Sequence, residues 1–393
     1  MISRELDLFK ILGRKTSAFL FGARGTGKTV IAQEWLKSID SSFSVNLLEP
    51  EYYQRYLRDP AQFRADIEGL IKNSKDTLTV FVDEVQRIPV LLDIVHQLHT
   101  GYSGKVRFLL TGSSARKLRR GGANMLAGRL IALSLFPLTY REFPRDIGKT
   151  LRFGSLPCAA LAEHEPERVL KAYVNTYLRE EVLEESLVRK IDSFSRFLEI
   201  AGQYHGKVIN ATGIGKPLRL SYHTVQEYFQ ILEDTYIGFK LRGWHAPARK
   251  QLLTGYKFFL FDNGVANALR GELLLEITER TSRFGELFEA MVIQEIFRWN
   301  EYAQRDFKMS FWQNSAGHEI DLILSRGSGE PLAAIEIKSD TKPDLSKCRG
   351  FKAFAAEYPQ VPRYCFCRTP VPYQDTSEIM VLPWTDFDLL QTL

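Results

Sequence analysis

Gly22-Ala23-Arg24-Gly25-Thr26-Gly27-Lys28-Thr29 decides the reading of this 393-residue chain. The stretch fits G-x-x-x-x-G-K-[ST], a loop that cradles phosphate. Its glycines let the backbone turn tightly and aim successive N–H groups at a phosphate. Lys28 can reach the β- and γ-phosphates of a nucleotide, and the Thr29 hydroxyl can bind Mg²⁺. The flanks agree with that reading. Residues 18–21, Ala-Phe-Leu-Phe, suggest a short apolar strand, and 28–37 suggest a helix with apolar Val30, Ile31, Trp35 and Leu36. A helix starting there adds its partial positive charge to the phosphate site. The expected ligand is ATP with Mg²⁺.

Working outward, residues 78–82 form a β-type run that ends in Asp83-Glu84. An acidic pair at the end of a hydrophobic strand, some 55 residues after a phosphate loop, has the Walker B arrangement. Asp83 is then expected to hold Mg²⁺ through water, and Glu84 to polarise the attacking water. A glutamate directly after the aspartate favours hydrolysis over mere binding. Residues 43–48 suggest one further strand between the two motifs. Another strand, 106–110, leads into Thr111-Gly112-Ser113-Ser114. Next come the basic, glycine-rich segment 116–122 and Leu126-Ala127-Gly128-Arg129, just before the apolar run 130–136. An arginine here can stabilise transition-state charge, in cis or from a neighbouring subunit, and Arg129 is the candidate. A solvated basic loop is the plainer alternative.

In this order GARGTGKT, FVDEVQRIP, LLTGSSARKL, LAGR and LFPLTYREF (135–143) resemble a bacterial and archaeal branch of AAA+-type ATPases. The resemblance implies that a hydroxyl after the 106–110 strand, Ser113 or else Thr111, helps place the lytic water. It also implies a winged-helix region after the ATPase and a C-terminal domain similar to PD-(D/E)XK nucleases. The expected fold class is α/β. It comprises a P-loop NTPase (ASCE/AAA+-type) parallel sheet at 1–145, a helical lid and winged-helix middle at 146–270, and a restriction-endonuclease-like α/β domain at 271–393.

The C-terminal residues point the same way. GHEIDLIL puts Asp321 in a strand-like alternation, and AAIEIKSD puts Glu336 and Lys338 on one face of a second strand. Asp321 and Glu336 are oxygen ligands suited to Mg²⁺ or Mn²⁺. Lys338 can orient a water or steady developing phosphorane charge. Upstream, GELFEAMVIQEIF has the pattern of an amphipathic helix carrying Glu286 and Glu289. The nuclease resemblance implies that a helix glutamate, best matched by Glu289, completes the metal set. Such a domain can also bind DNA or act as scaffold without cutting.

The middle suggests helices: a long amphipathic one over 168–185, another over 194–204, a polar loop through 213–216, and a helix capped by Ser221. Two short strands, 236–243 and 256–262, would form a wing. Tyr222, His223 and Gln226 would then face a nucleic-acid groove; a protein-docking or lid module is the alternative. The segment 242–250 interleaves Trp244 and His245 with basic residues, as a backbone-contacting surface would.

A net charge of +5 is small for this length, so it permits nucleic-acid binding without demanding it. Cys158, Cys348, Cys365 and Cys367 make no paired C-x-x-C set, so reduced thiols are expected. The start, MISRELDLFK, has no apolar stretch of the signal-peptide kind, and no apolar run is long enough for a transmembrane helix. The expectation is a cytoplasmic ATP hydrolase coupled to a nuclease-like domain that acts on DNA, with RNA left open. It would have no membrane partner and would form a homo-oligomer in the ATP state if an arginine acts in trans. The competing reading is an ATP-dependent switch or scaffold. A small-molecule kinase would leave the C-terminal half without a role.

Overall fold

The computed structural model describes residues 2–13, 16–113, 130–178, 191–244, 255–327 and 329–393. They form two compact units: one holds the chain up to Pro137 with Ile231–Ile237, and the other holds most of the chain from Leu138 onward.

The first unit opens with α1 (Leu8–Leu12), β1 (Ser17–Phe21) and α2 (Lys28–Leu36). β2 (Ser42–Asn46), α3 (Pro50–Arg58), α4 (Pro60–Asn73) and β3 (Leu78–Asp83) come after them. α5 (Leu91–Gly101), β4 (Val106–Gly112) and β5 (Leu130–Ser134) complete it. The five strands make a parallel sheet in the order β2-β3-β4-β1-β5. β1, β3 and β4 are buried along their whole length. That is why their sequences are continuous apolar runs rather than alternating ones: helices cover both faces of a parallel sheet. The additional strand, β2, takes the edge beyond β3. β4 slots between β1 and β3, so three strand ends open side by side at the same edge.

The second unit carries α6 (Ile147–Phe153), α7 (Pro157–Ala160), α8 (Pro166–Ala172) and α9 (Ile191–Gln203). The long helix expected over 168–185 instead passes from α8 into a π-helical turn, Tyr173–Leu178, and 179–185 lie outside the described residues. After β6 (Lys207–Val208), α10 (Ala211–Leu218) occupies the stretch read from sequence as a polar loop. Asn210 caps it by accepting from the Gly213 N–H at 2.9 Å. Gly215 lets it pack closely, since a Cβ there would strike the Leu220 carbonyl. α11 (Tyr222–Asp234), β7 (Gly238–Gly243), β8 (Tyr256–Leu260), α12 (Asn263–Leu269) and α13 (Ser282–Tyr302) come next. Ser221 Oγ accepts from the Thr224 N–H at 3.1 Å, the N-cap role its sequence suggests. β9 (Lys308–Gln313), β10 (Glu319–Ser325), β11 (Pro331–Ile337), α14 (Arg349–Glu357), β12 (Arg363–Cys367), β13 (Tyr373–Gln374) and β14 (Met380–Pro383) end the chain.

β7 and β8 pair antiparallel, as a wing would, but they do not stand apart. β7 also pairs with β9, and all nine strands form one mixed sheet, β13-β14-β12-β11-β10-β9-β7-β8-β6. The middle and C-terminal segments, which the sequence divides near residue 270, therefore share a sheet. α13 lies in the main core of that sheet with Phe288, Val292, Ile293 and Ile296 fully enclosed. Among the described residues no helix is long and apolar enough to cross a membrane.

Candidate functional site

The phosphate loop starts where β1 ends. Gly22 is set against the end of β5: a Cβ there would overlap the Leu135 carbonyl oxygen. Gly25 (φ 83°) and Gly27 (φ 97°) adopt left-handed backbone that favours glycine, and Gly27 forms the N-cap of α2. Thr26 Oγ1 donates to the Ala23 carbonyl at 2.9 Å and closes the loop on itself. Lys28 is buried, and its Nζ donates to the Gly22 and Ala23 carbonyls at 2.8 and 3.2 Å. Arg24 is half-buried on the same loop. Arg4, which sequence reading passes over, braces the loop from outside. It donates to the Thr26 carbonyl at 2.8 Å and the Phe136 carbonyl at 2.6 Å.

The ends of β3 and β4 meet this loop. Thr29 Oγ1 donates to Asp83 Oδ2 at 2.7 Å, across 54 residues of sequence. Thr111 Oγ1 donates to the other Asp83 oxygen and accepts the Glu84 N–H at 3.0 Å. The buried Asp83 carboxylate is thus aimed by two hydroxyls. A hydroxyl and a carboxylate within hydrogen-bond distance are hard oxygen donors that suit Mg²⁺. Glu84 comes next, in left-handed backbone (φ 57°). Gln86 Nε2 donates to Glu84 Oε2 and, at 3.1 Å, to Ser113 Oγ. Of the two hydroxyls weighed from sequence, Thr111 bonds Asp83, and Ser113 is joined to Glu84 through Gln86. Arg129 and the basic segment before it lie outside the described residues.

The second unit gathers a different set. The β10–β11 register pairs Leu322 with Ile335 and so sets Asp321 opposite Glu336. Asp321 accepts the Ile337 N–H at 2.8 Å. Glu336 is buried and pairs with Lys338 at 2.6 Å. From α13, Glu289 pairs with Lys257 of β8 at 3.3 Å, and the same ammonium is paired with Glu319. Burial, then the Asp321 charge, raises the Glu336 carboxyl to about 8 and the Glu289 carboxyl to about 7. Burial alone would lower Lys257 and Lys338; the surrounding carboxylates outweigh it and hold both above the usual lysine range.

Asp321 thus lies opposite Glu336, which pairs with Lys338, while Glu289 is held by Lys257. Sequence reading missed Lys257 and Glu319. Lys257 had a signal, a lone charge in the otherwise apolar YKFFL; so did Glu319, which lies two residues before Asp321 on the same strand face. Among the described residues no three His, Cys, Asp or Glu side chains stand close enough together to hold a metal ion. The two lysines supply the positive charge beside these carboxylates.

His223 and Gln226 line a polar groove of about 380 Å³ with Glu227, Gln230, Lys240, Arg242 and Tyr256, and Tyr222 of the same helix is exposed. Trp244, read from sequence as part of a contact surface, is instead buried, its ring against Tyr358 at 5.0 Å. Its neighbours 245–250 lie outside the described residues. All four cysteines are free thiols, with Cys365 and Cys367 buried in β12.

The parallel sheet and the loop at the end of β1 define a P-loop NTPase fold, joined to a C-terminal mixed-sheet unit. Residues 14–151 match the family model of an AAA domain. Residues 144–278 and 284–387 match two families described as domains of unknown function, DUF8612 and DUF4143. An uncharacterized protein of Haemophilus influenzae is 22% identical over 326 residues, covering 76% of this chain and 79% of its own. One of Mycobacterium tuberculosis is 25% identical over 348 residues, covering 86% and 74%. Among solved structures, Aeropyrum pernix ORC1 in complex with DNA is similar at 14% identity, with a TM-score of 0.29 over 68% of this chain and 90% of that one.

Proposed function

We propose that the chain is an ATP hydrolase of the AAA type. The observation that carries this is the Thr29–Asp83 hydrogen bond of 2.7 Å, which joins the phosphate loop to the acidic strand end. Thr29 and Asp83 would hold Mg²⁺, which when bound neutralises phosphate charge. The N–H groups of residues 22–29 and the Lys28 ammonium bind the phosphates. Glu84 takes the proton of the attacking water, and Ser113 helps place that water. Arg129 is the candidate finger, in cis or on a neighbour's nucleotide; the second case requires an oligomer in the ATP state. Free thiols suit a cytoplasmic protein.

The partner we assign to the second unit is nucleic acid, DNA before RNA. Two readings of its acidic cluster compete. Asp321, Glu336 and Glu289 with Lys338 match the residue types of a metal-dependent phosphodiester hydrolysis with Mg²⁺ or Mn²⁺, but among the described residues no three carboxylates stand close enough together to hold the ion. The ion pairs of Lys257 and Lys338 favour the other reading, a switch or scaffold that binds without cutting. The test for the ATPase is phosphate release by wild type, Lys28→Ala and Glu84→Gln. Lys28→Ala should lose ATP binding, and Glu84→Gln should bind ATP without turnover; unchanged hydrolysis in both refutes the assignment. Incubation with Mg²⁺ or Mn²⁺, with and without ATP, against single-stranded, duplex and branched DNA and RNA separates the two readings of the second unit.

A further inference from the structure

We infer that Gln86 is a positioning residue for hydrolysis, tying Glu84 and Ser113 into one unit that addresses the attacking water. The inference rests on the ATPase reading and adds a residue to it. Gln86 lies in the 3₁₀ turn Val85–Arg87 immediately after β3 and is 5% exposed. An amide nitrogen has two N–H groups, and both are used: one on Glu84 Oε2, one on Ser113 Oγ. The orientation is fixed by charge. Turning the amide over would set its oxygen against the Glu84 carboxylate and forfeit the donated bonds.

That orientation leaves Gln86 Oε1 buried with no hydrogen-bond partner. An unsatisfied buried carbonyl is destabilising, because it gives up its water without a replacement. A residue chosen only to fill this corner would avoid that cost; leucine has nearly the same volume and no polar atom. Glu84 itself sits in left-handed backbone, which non-glycine residues adopt at a cost. Its N–H on Thr111 Oγ1 helps to hold it there. Two unfavourable features side by side, both within reach of the hydrolytic glutamate, indicate a geometry kept for chemistry rather than for stability. Gln86 fixes the Glu84 carboxylate relative to the Ser113 hydroxyl. The role acts through Glu84 and Ser113, so it should appear in turnover and not in nucleotide affinity.

The experiment is a double-mutant cycle on the full chain, reading ATP turnover and the affinity for a fluorescent ATP analogue. Gln86→Leu should lower kcat about 30-fold and leave affinity within about twofold. Ser113→Ala should cost much less in the Gln86→Leu background than alone, because the tie is already cut. Multiplying effects, an unchanged kcat, or a fall in affinity matching the fall in turnover would each overturn the inference. If Gln86→Leu does not fold, Gln86→Glu tests the same tie with an isosteric side chain that cannot donate. It should lower kcat similarly and move the acid limb of the pH–rate profile upward, since two carboxylates then adjoin; an unmoved limb with full turnover refutes the tie. Lys28→Ala separates the two levels. Full hydrolysis by that variant overturns the nucleotide site and the tie together. Its inactivity, alongside multiplying Gln86 and Ser113 effects, overturns the tie alone.

Discussion

Lowering the pH should destabilise the second unit through one buried imidazole. His205 Nδ1 accepts the Leu260 N–H at 3.0 Å, and Nε2 faces Asn263 Oδ1 at 3.0 Å. Asn263 is itself oriented by its Nδ2 bond to the Leu287 carbonyl at 2.9 Å. The ring is therefore neutral with its proton on Nε2, and a second proton must displace the Leu260 N–H. Burial first, then the Arg283 and Arg270 charges, push its pKa from 6.5 down to about 4, against the opposing effect of the Asn263 bond. In the unfolded chain the ring returns to about 6.5. Between those values the unfolded state binds more protons, so stability falls as pH drops through 6.5 and levels off below about 4. The gap, at about 1.4 kcal/mol per pH unit, makes roughly 3 kcal/mol in full and roughly 2 kcal/mol by pH 5. Urea unfolding at pH 7.5 and 5.0, compared with His205→Gln, measures it: wild type should lose about 2 kcal/mol more than the variant over that interval. Carbon-13 labelling of the seven histidines gives the native titration directly. A His205 midpoint near 6.5, or equal pH slopes in the two proteins, would refute this account.

Gly22→Ala should damage the phosphate loop, because the new methyl meets the Leu135 carbonyl. We expect weaker ATP binding and about 1–3 kcal/mol lost from the first unit, read by calorimetry. Lys257→Met should leave Glu289 and Glu319 without their shared cation. The expected loss is about 3 kcal/mol at pH 8. It should shrink toward pH 5 as the Glu289 carboxyl, already raised by burial to about 7, takes up a proton; a loss that does not change with pH would count against the pairing.

The nucleotide half was legible because its chemistry is local. The loop glycines, Lys28 and Thr29 are contiguous, and Asp83-Glu84 end a strand whose burial on both faces is written as an unbroken apolar run. The hydroxyls after β4 were visible as a cluster, but which of them served which carboxylate was not. Thr111 meets Asp83 and Ser113 meets Gln86 only because β4 packs beside β3. Gln86 itself gave no signal beyond its place in FVDEVQRIP.

In the second unit, period-two spacing marked Asp321, Glu336 and Lys338, yet it could not show Lys257 arriving from β8. Nor could it show the expected wing joining the C-terminal sheet through β7 and β9, since strand pairing between distant segments leaves no local trace. Glycines in α10 read as a loop because their propensity is poor; Asn210 capping and close packing at Gly215 overrode it. The phosphate loop, its acidic partner and the apolar strands that carry them were readable from residues adjacent in the chain. That Lys257 neutralises Glu289 and Glu319 came only from the folded chain, because those pairs depend on distance in space between residues 32 and 62 positions apart.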